Sequence, residues 1–426
     1  MASFSIPLTG LEADSTALNT IANDLSNMNT TAFKAASTNF ADLFYQQIGT
    51  TGSGDQIQVG AGVKVASNET SFTQGSISST GNDTDVALDG SGFFIAGNGS
   101  GGYEYTRAGN FTMDSDGALV TSSGLSVMGY PASGGIVNTN APLTAINIPV
   151  GAVQEPQATT TMSMTANLDS ATTTGTQFPA QVTVYDSLGE PHVATVTYEQ
   201  TSANTWSYSV SLPASDFTSG VATPVTGTMQ FDSSGNLTTI TPTSGSAETV
   251  GTATGDVSSI ALAFSGLADG AKDLSIQWNL LGSSGTPTIS QVDTTSAVSA
   301  TTQNGYASGQ YKSFSIGSDG TVTVTYSNGQ TENVGQLALA NVANLQGLSL
   351  LGDGDYATTL ASGVAVVGIS GTSGLATMQD GALEASNVNI SSEFSELIVA
   401  QRAFEANAKS VTTFDTVTQD TINMVH

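Results

Sequence analysis

Apolar residues recur at heptad spacing at both ends of the chain. Leu11, Leu18 and Leu25 fall seven apart, with Ile21 and Met28 on the interleaved register. Hundreds of residues later Ile390, Leu397, Phe404, Val411 and Val425 hold one register while Phe394, Ala408 and Ile422 hold the other. A seven-residue period puts each set on one seam of a helix, the geometry of a coiled coil. The spacing predicts a first helix over residues 1–30, continued less regularly from Lys34 to Tyr45, and a closing helix from near Asn389 or Ser391 to residue 425. Glu393 and Glu396 fall in its first turn, where the helix dipole favours them. At 1.5 Å per residue that helix measures roughly 54 Å. Long helices with a narrow apolar seam need partners to stay folded in water.

Between the helices the period changes to two. The stretch Gly49–Gly62 is rich in Gly, Thr and Gln, as a loop or extended connector is. From about Phe72 come the apolar run Phe93-Phe94-Ile95, a turn at Gly97–Gly102, Tyr103 and Tyr105, then Phe111 and Met113 before the turn Asp114-Ser115-Asp116-Gly117 and Leu119. A second β-region starts near Pro156. There Val182 and Val184 lead into a turn at Asp186–Gly189, and alternating runs end at Leu212, Phe264 and Leu280, with a further turn at Asp232–Gly235. A last hairpin has Phe314 and Ile316 on one arm, Gly317-Ser318-Asp319-Gly320 as its turn, and Val322, Val324 and Tyr326 on the other. Strict alternation bounded by Asp/Gly turns indicates half-buried strands of a sandwich or barrel. The expected fold is mainly β with terminal α-helices. Residues 1–30 and 385–426 form a coiled-coil-like inner helical domain and 31–72 an extended connector; two nested β-sandwich or barrel domains, 73–150 with 300–384 and then 151–299, are inserted outward.

Charge narrows the function classes. Only 10% of the 426 residues are charged, seven Lys plus Arg against 35 Asp plus Glu, for a net charge of −28. Such a surface repels phosphate backbones and anionic lipid, so neither nucleic acid nor a membrane surface is an expected partner. No stretch approaches the ~20 apolar residues of a membrane span. The first basic residue is Lys34 and no apolar run precedes it, so a cleaved secretory signal is not expected. Cysteine is absent, which excludes disulfides and thiolate chemistry.

Candidate chemistry is thin. The carboxylate pairs Asp83/Asp85, Asp114/Asp116 and Asp353/Asp355 sit among Gly and Ser, as turn residues do, and none carries the full Ca²⁺-loop pattern. Histidine is limited to His192 and His426, too few for a His-based metal site; His192, after Pro191 at a strand start, is expected on the surface. Arg107, one of two arginines, fits either a buried partner for a carboxylate or a surface position. No catalytic, cofactor or metal residues are expected, and the chain is not expected to be an enzyme.

The residues assembled so far resemble the flagellar rod/hook axial protein family. Residues 21–34 (IANDLSNMNTTAFK) are similar to its N-terminal signature, with Ala32 where the family commonly has Gly, a change expected only to soften the bend there. Residues 74–95, 105–130 and 381–407 (GALEASNVNISSEFSELIVAQRAFEAN) resemble further blocks, in the family's order. Length favours the hook type, because the rod type lacks an insertion like 151–299. The resemblance implies a structural subunit that polymerises with itself into a hollow, flexible, curved tube transmitting torque to the filament. It also implies export without a cleaved signal through the flagellar type III apparatus, and contacts with rod, hook-filament junction and hook cap proteins outside the cell. The expected assembly residues are Leu11, Leu18, Ile21, Leu25 and Met28 with Ile390, Phe394, Leu397, Phe404, Val411 and Ile422. Two alternatives remain: a rod-type protein with an extra domain, and an acidic extracellular adhesin or carbohydrate-binding β-protein.

Overall fold

Two α-helices bracket a β-rich body: α1, Ser5–Ser26, and α2, Ile390–Met424. The computed structural model describes residues 5–50, 56–99, 101–253 and 255–424, so Val425, His426 and the Ser100 position of the Gly97–Gly102 turn lie outside the described residues. Pro7 is tolerated in the first turn of α1, where its missing N–H leaves no internal bond unmade. At the start of α2 the Asn389 side chain accepts from the amides of Ser391 and Ser392 at 3.1 and 3.3 Å, capping the helix.

Helix does not continue from Lys34 to Tyr45, contrary to the pattern's suggestion. Ala36–Asp42 is a strand, paired antiparallel with Val63–Thr70, and Gln46–Thr50 pairs with Gln56–Val59. The described residues of 31–72 thus include two antiparallel strand pairs. Thr38 and Phe40 have sheet-favouring side chains, and Ala32 takes φ 55°, which no right-handed helix accommodates.

The chain divides into two compact units. One holds both helices and runs to Val150, resuming over Ser313–Thr325 and from Thr331; the other comprises Gly151–Lys312 and Tyr326–Gln330. In the first, Phe93–Gly97 pairs antiparallel with Tyr103–Thr106, Ser126–Ser133 and Thr331–Asn341. Phe93, Phe94 and Ile95 are all buried, as are Leu337 to Ala340 opposite them, so these strands are covered on both faces.

The second unit is a sandwich. One sheet has the order Ser259–Phe264, Leu274–Asn279, Thr161–Asp169, Ile289–Val292; the other is a meander running from Gln177–Tyr185 through Pro191–Ser202, Thr205–Ser211 and Val225–Phe231 to Leu237–Pro242. The inward residues of both sheets form one core, centred on Trp206, Trp278, Tyr198 and Tyr208. The Tyr208 and Trp278 rings meet edge to face at 5.8 Å.

The acidic turns behave as their sequence suggests. Asp114, Asp186 and Asp232 each accept from the backbone amides two and four residues on, at 2.8–2.9 Å. Gly117, Gly189 and Gly235 close them with φ of 82–86°. His192 departs from expectation: it is buried, because the turn at Asp186 and the short helix Ala214–Asp216 fold carboxylates over it.

The hydroxyl of buried Tyr208 has no hydrogen-bond partner among the described residues. Burial raises its pKa to about 12, with Glu248 adding to the effect. Tyr208→Phe removes an unsatisfied group while keeping the ring, so it is expected to leave stability unchanged or raise it by up to about 1 kcal/mol. Trp278→Ala should instead cost about 3–5 kcal/mol through cavity formation. Denaturant unfolding of both variants checks the contrast, and a Tyr208→Phe loss above 1 kcal/mol contradicts it.

Candidate assembly interface

The elements that set the terminal helices in place converge on one buried carboxylate. Glu384, six residues before α2, accepts from the Lys34 ammonium, from the Gly75 amide at 2.8 Å and from Arg107 Nε at 2.9 Å. The Glu384 and Lys34 side chains are both 0% exposed. Arg107 spends its other N–H groups on the carbonyls of Gly92 and Gly90, and Lys34 donates to the Thr73 carbonyl. Burial pushes the Lys34 pKa down, against the pull of Glu384. Of the two readings open for Arg107, the structure selects the buried partner.

Asn387 adds a second tie. Its side chain accepts from the Ala35 amide at 2.8 Å and donates to the Ser71 and Thr73 carbonyls. Between these ties the Ala32 amide donates to the Glu384 carbonyl at 2.8 Å. The expected softer bend at Ala32 is not found. Alanine adopts the left-handed conformation outright, at a cost of roughly 1–2 kcal/mol.

From this base α1 and α2 pack against each other. The buried positions of α1 are Pro7, Gly10, Ala13, Thr20, Ile21 and Asp24, mostly small residues. Of the predicted set Ile21 is buried, Leu11, Leu18 and Leu25 are half-buried, and Met28 lies beyond the helix end and exposed. Gly10 lets Asn407 of α2 approach closely: a Cβ there would stand 2.6 Å from its amide nitrogen, which donates to Asp14 at 2.8 Å. On α2 the half-buried positions include Leu397, Ala400, Ala403, Asn407 and Val411, whereas Ile390, Phe394, Phe404 and Ile422 are exposed. No described residue of α2 is buried.

A groove of about 390 Å³ runs beside this contact, lined by Thr20 and Ile21 of α1, Phe40 of the first strand, and Val399, Ala400 and Ala403 of α2. The sequence pattern also missed Phe44 and Tyr45, exposed by 95% and 59%. The available signal was an aromatic pair standing next to a Gln- and Gly-rich loop.

Asp24, three residues on from Ile21, is buried. One oxygen accepts from the Ala36 amide at 2.8 Å and the other has no partner among the described residues. Burial raises its pKa above 3.8, with Glu396 adding to the effect, and Glu393 is raised by burial and by Asp24.

Two outcomes follow from these contacts. Glu384→Gln leaves two buried cations facing a neutral group and should cost about 3–5 kcal/mol in denaturant unfolding. Lys34→Met should cost clearly less, because Arg107 still neutralises Glu384; equal losses would contradict the arrangement. For Asp24 and Glu393, folded pKa values above the unfolded ones mean that stability is gained as pH falls from 7 towards about 4. Hydrogen-exchange protection of α1 should rise over that range. Asp24→Asn should flatten the rise and add on the order of 1 kcal/mol at pH 7; protection that falls on acidification contradicts the sign.

Comparison with known proteins agrees with this architecture. Family profiles match residues 87–167 (flagellar hook protein FlgE/F/G D1 domain), 156–306 (flagellar basal body protein FlaE D2 domain) and 379–424 (flagellar basal body rod FlgEFG protein C-terminal). The chain is 35% identical to the flagellar hook protein FlgE of Escherichia coli (strain K12), covering 99% of each chain. It is 32% identical to that of Treponema pallidum (strain Nichols) over 98% of each. The crystal structure of the Helicobacter pylori flagellar hook protein FlgE2 shares the fold with a TM-score of 0.53 at 14% identity, over 72% of this chain and 100% of that one. Identity of this depth along nearly the whole length of both partners places the chain in the flagellar hook protein FlgE family.

Proposed function

We propose that this hook subunit polymerises through its terminal helices, with Leu11, Leu18, Leu25, Phe394, Phe404 and Ile422 covered by copies of the same chain. One observation carries the reading: a 35-residue helix with Phe394, Ile398, Val399 and Ile422 each more than half exposed. Covering one such side chain contributes ~1.5–3 kcal/mol. Repeated head to tail without closure, such a contact generates an open filament. In this reading residues 1–30 with 385–426 form the assembly domain, 73–150 with 300–384 an inner β-domain, and 151–299 an inserted β-domain. The product is a hollow, curved tube outside the cell that links motor and filament as a flexible joint. Its subunits reach the tip through the flagellar type III apparatus without a cleaved signal, beneath a hook cap, and meet rod and junction proteins at the two ends. The role is structural.

Phe394→Ser with Phe404→Ser tests the seam. Both positions are exposed, so unfolding of the monomer should shift by less than about 0.5 kcal/mol. Tubes seen by negative stain should be lost. Normal tubes from this variant would remove the helices from the interface.

A further inference from the structure

We propose that His192, Asp186 and Asp269 form a binding site for a divalent transition metal of the Zn²⁺ class within the 151–312 unit. His192 Nε2 and one oxygen of each carboxylate lie within 4.8 Å of one another. Their separations are informative. Nε2 stands 3.5 Å from Asp186 Oδ2 and 3.9 Å from Asp269 Oδ2, both longer than the upper range of about 3.2 Å for N–H···O bonds. Ligands about 2.0–2.1 Å from a tetrahedral Zn²⁺ lie about 3.3 Å apart, close to the spacing seen here.

Each ligand is also held by the atom that would not bind the metal. His192 Nδ1 faces Asp216 Oδ2 at 2.8 Å, the carboxylate–histidine arrangement that turns Nε2 towards a cation. Asp186 Oδ1 accepts from the amides of Leu188 and Glu190 at 2.8 and 2.9 Å, and the Asp186 side chain is 0% exposed. Asp269 Oδ1 accepts from the Ala271 amide at 3.0 Å. The loops themselves are joined, since the Lys272 amide donates to Ser187 Oγ and the Ala268 amide to the Asp216 carbonyl, both at 3.0 Å. Asp269 remains 26% exposed, which leaves an entry path and room for water as a fourth ligand. One imidazole nitrogen with two carboxylates suits Zn²⁺ rather than Ca²⁺. In a chain without cysteine, the ion would join the Asp186 turn to the loop carrying Asp269, as a cross-link does.

A proton competes for the same nitrogen: burial disfavours the charged ring, but Asp216 and Asp186 outweigh it. Binding is therefore measured at pH 8. The full chain, stripped with EDTA, is titrated with ZnCl₂, CoCl₂ and CaCl₂ by calorimetry, with the Co²⁺ absorption band reporting coordination and thermal unfolding reporting linkage. One Zn²⁺ per chain, an intense tetrahedral Co²⁺ band and a Tm rise of several degrees are expected. Asp269→Asn, on the exposed ligand, should weaken Zn²⁺ binding at least tenfold with the fold intact by circular dichroism. Asp216→Asn, at the positioning residue, should weaken it roughly 10–100-fold. Absence of binding, Ca²⁺ binding as tight as Zn²⁺, or binding insensitive to Asp269→Asn, the mark of adventitious surface carboxylates, each overturns the site. None of these outcomes bears on tube formation.

Discussion

The buried Glu384 carboxylate is the contact on which the placement of both helices depends. It joins residues 350 positions apart, because Lys34 follows α1 and Glu384 precedes α2. Arg107 brings in the sheet region through the carbonyls of Gly90 and Gly92. A water-exposed ion pair contributes little, but here both partners of the carboxylate are desolvated, and the Lys34 and Arg107 donors are directed at Glu384 and at backbone carbonyls. Removing the carboxylate leaves two buried cations uncompensated, whereas removing one cation leaves a neutral pair. The arrangement is thus a specificity device as much as a source of stability: the first and last segments fit only in one register, with Ala32 held in a left-handed conformation beside the same residue.

Above that base the helices divide their surfaces between two requirements. Gly10 of α1 allows close approach of α2, with Asn407 donating to Asp14, while Thr20 faces Thr38 and Asn68 of the first strand pair. Packing small faces together within one chain uses little apolar area. The larger side chains, Phe394, Ile398 and Phe404 among them, stay outside that contact. The charges at Asp24, Glu393 and Glu396 work against the intrachain pairing at neutral pH. The outward apolar side chains are the ones the proposed assembly would cover.

How much of this was legible in the sequence depends on the range of the interaction. Turns at Asp114, Asp186 and Asp232 read correctly because their determinants lie within four residues. The terminal helices read correctly as elements, since periodicity is local, but the close approach of Asn407 to Gly10 did not show, because it depends on a partner about 400 residues away. Lys34–Tyr45 failed as helix because the ladder to Val63–Thr70 is invisible to a helical window. His192 was misplaced for a similar reason. Counting histidines ignored that carboxylates from three separate segments, at Asp186, Asp216 and Asp269, could be brought to one ring. The family resemblance supplied the function that no local pattern could.

Charge accounting finally constrains what kind of contact the subunits can make. Of seven basic residues, Lys34 and Arg107 are consumed by Glu384, and Arg402 already pairs with Glu405 on its own helix. That leaves Lys64, Lys272, Lys312 and Lys409 to face more than thirty carboxylates. Two copies of such a surface cannot be complementary in charge; brought within a Debye length, about 8 Å at physiological salt, they repel. In the assembly proposed above, cohesion would come from apolar side chains and uncharged hydrogen-bonding groups, the chemistry that α2 and the exposed Phe44 and Tyr45 offer.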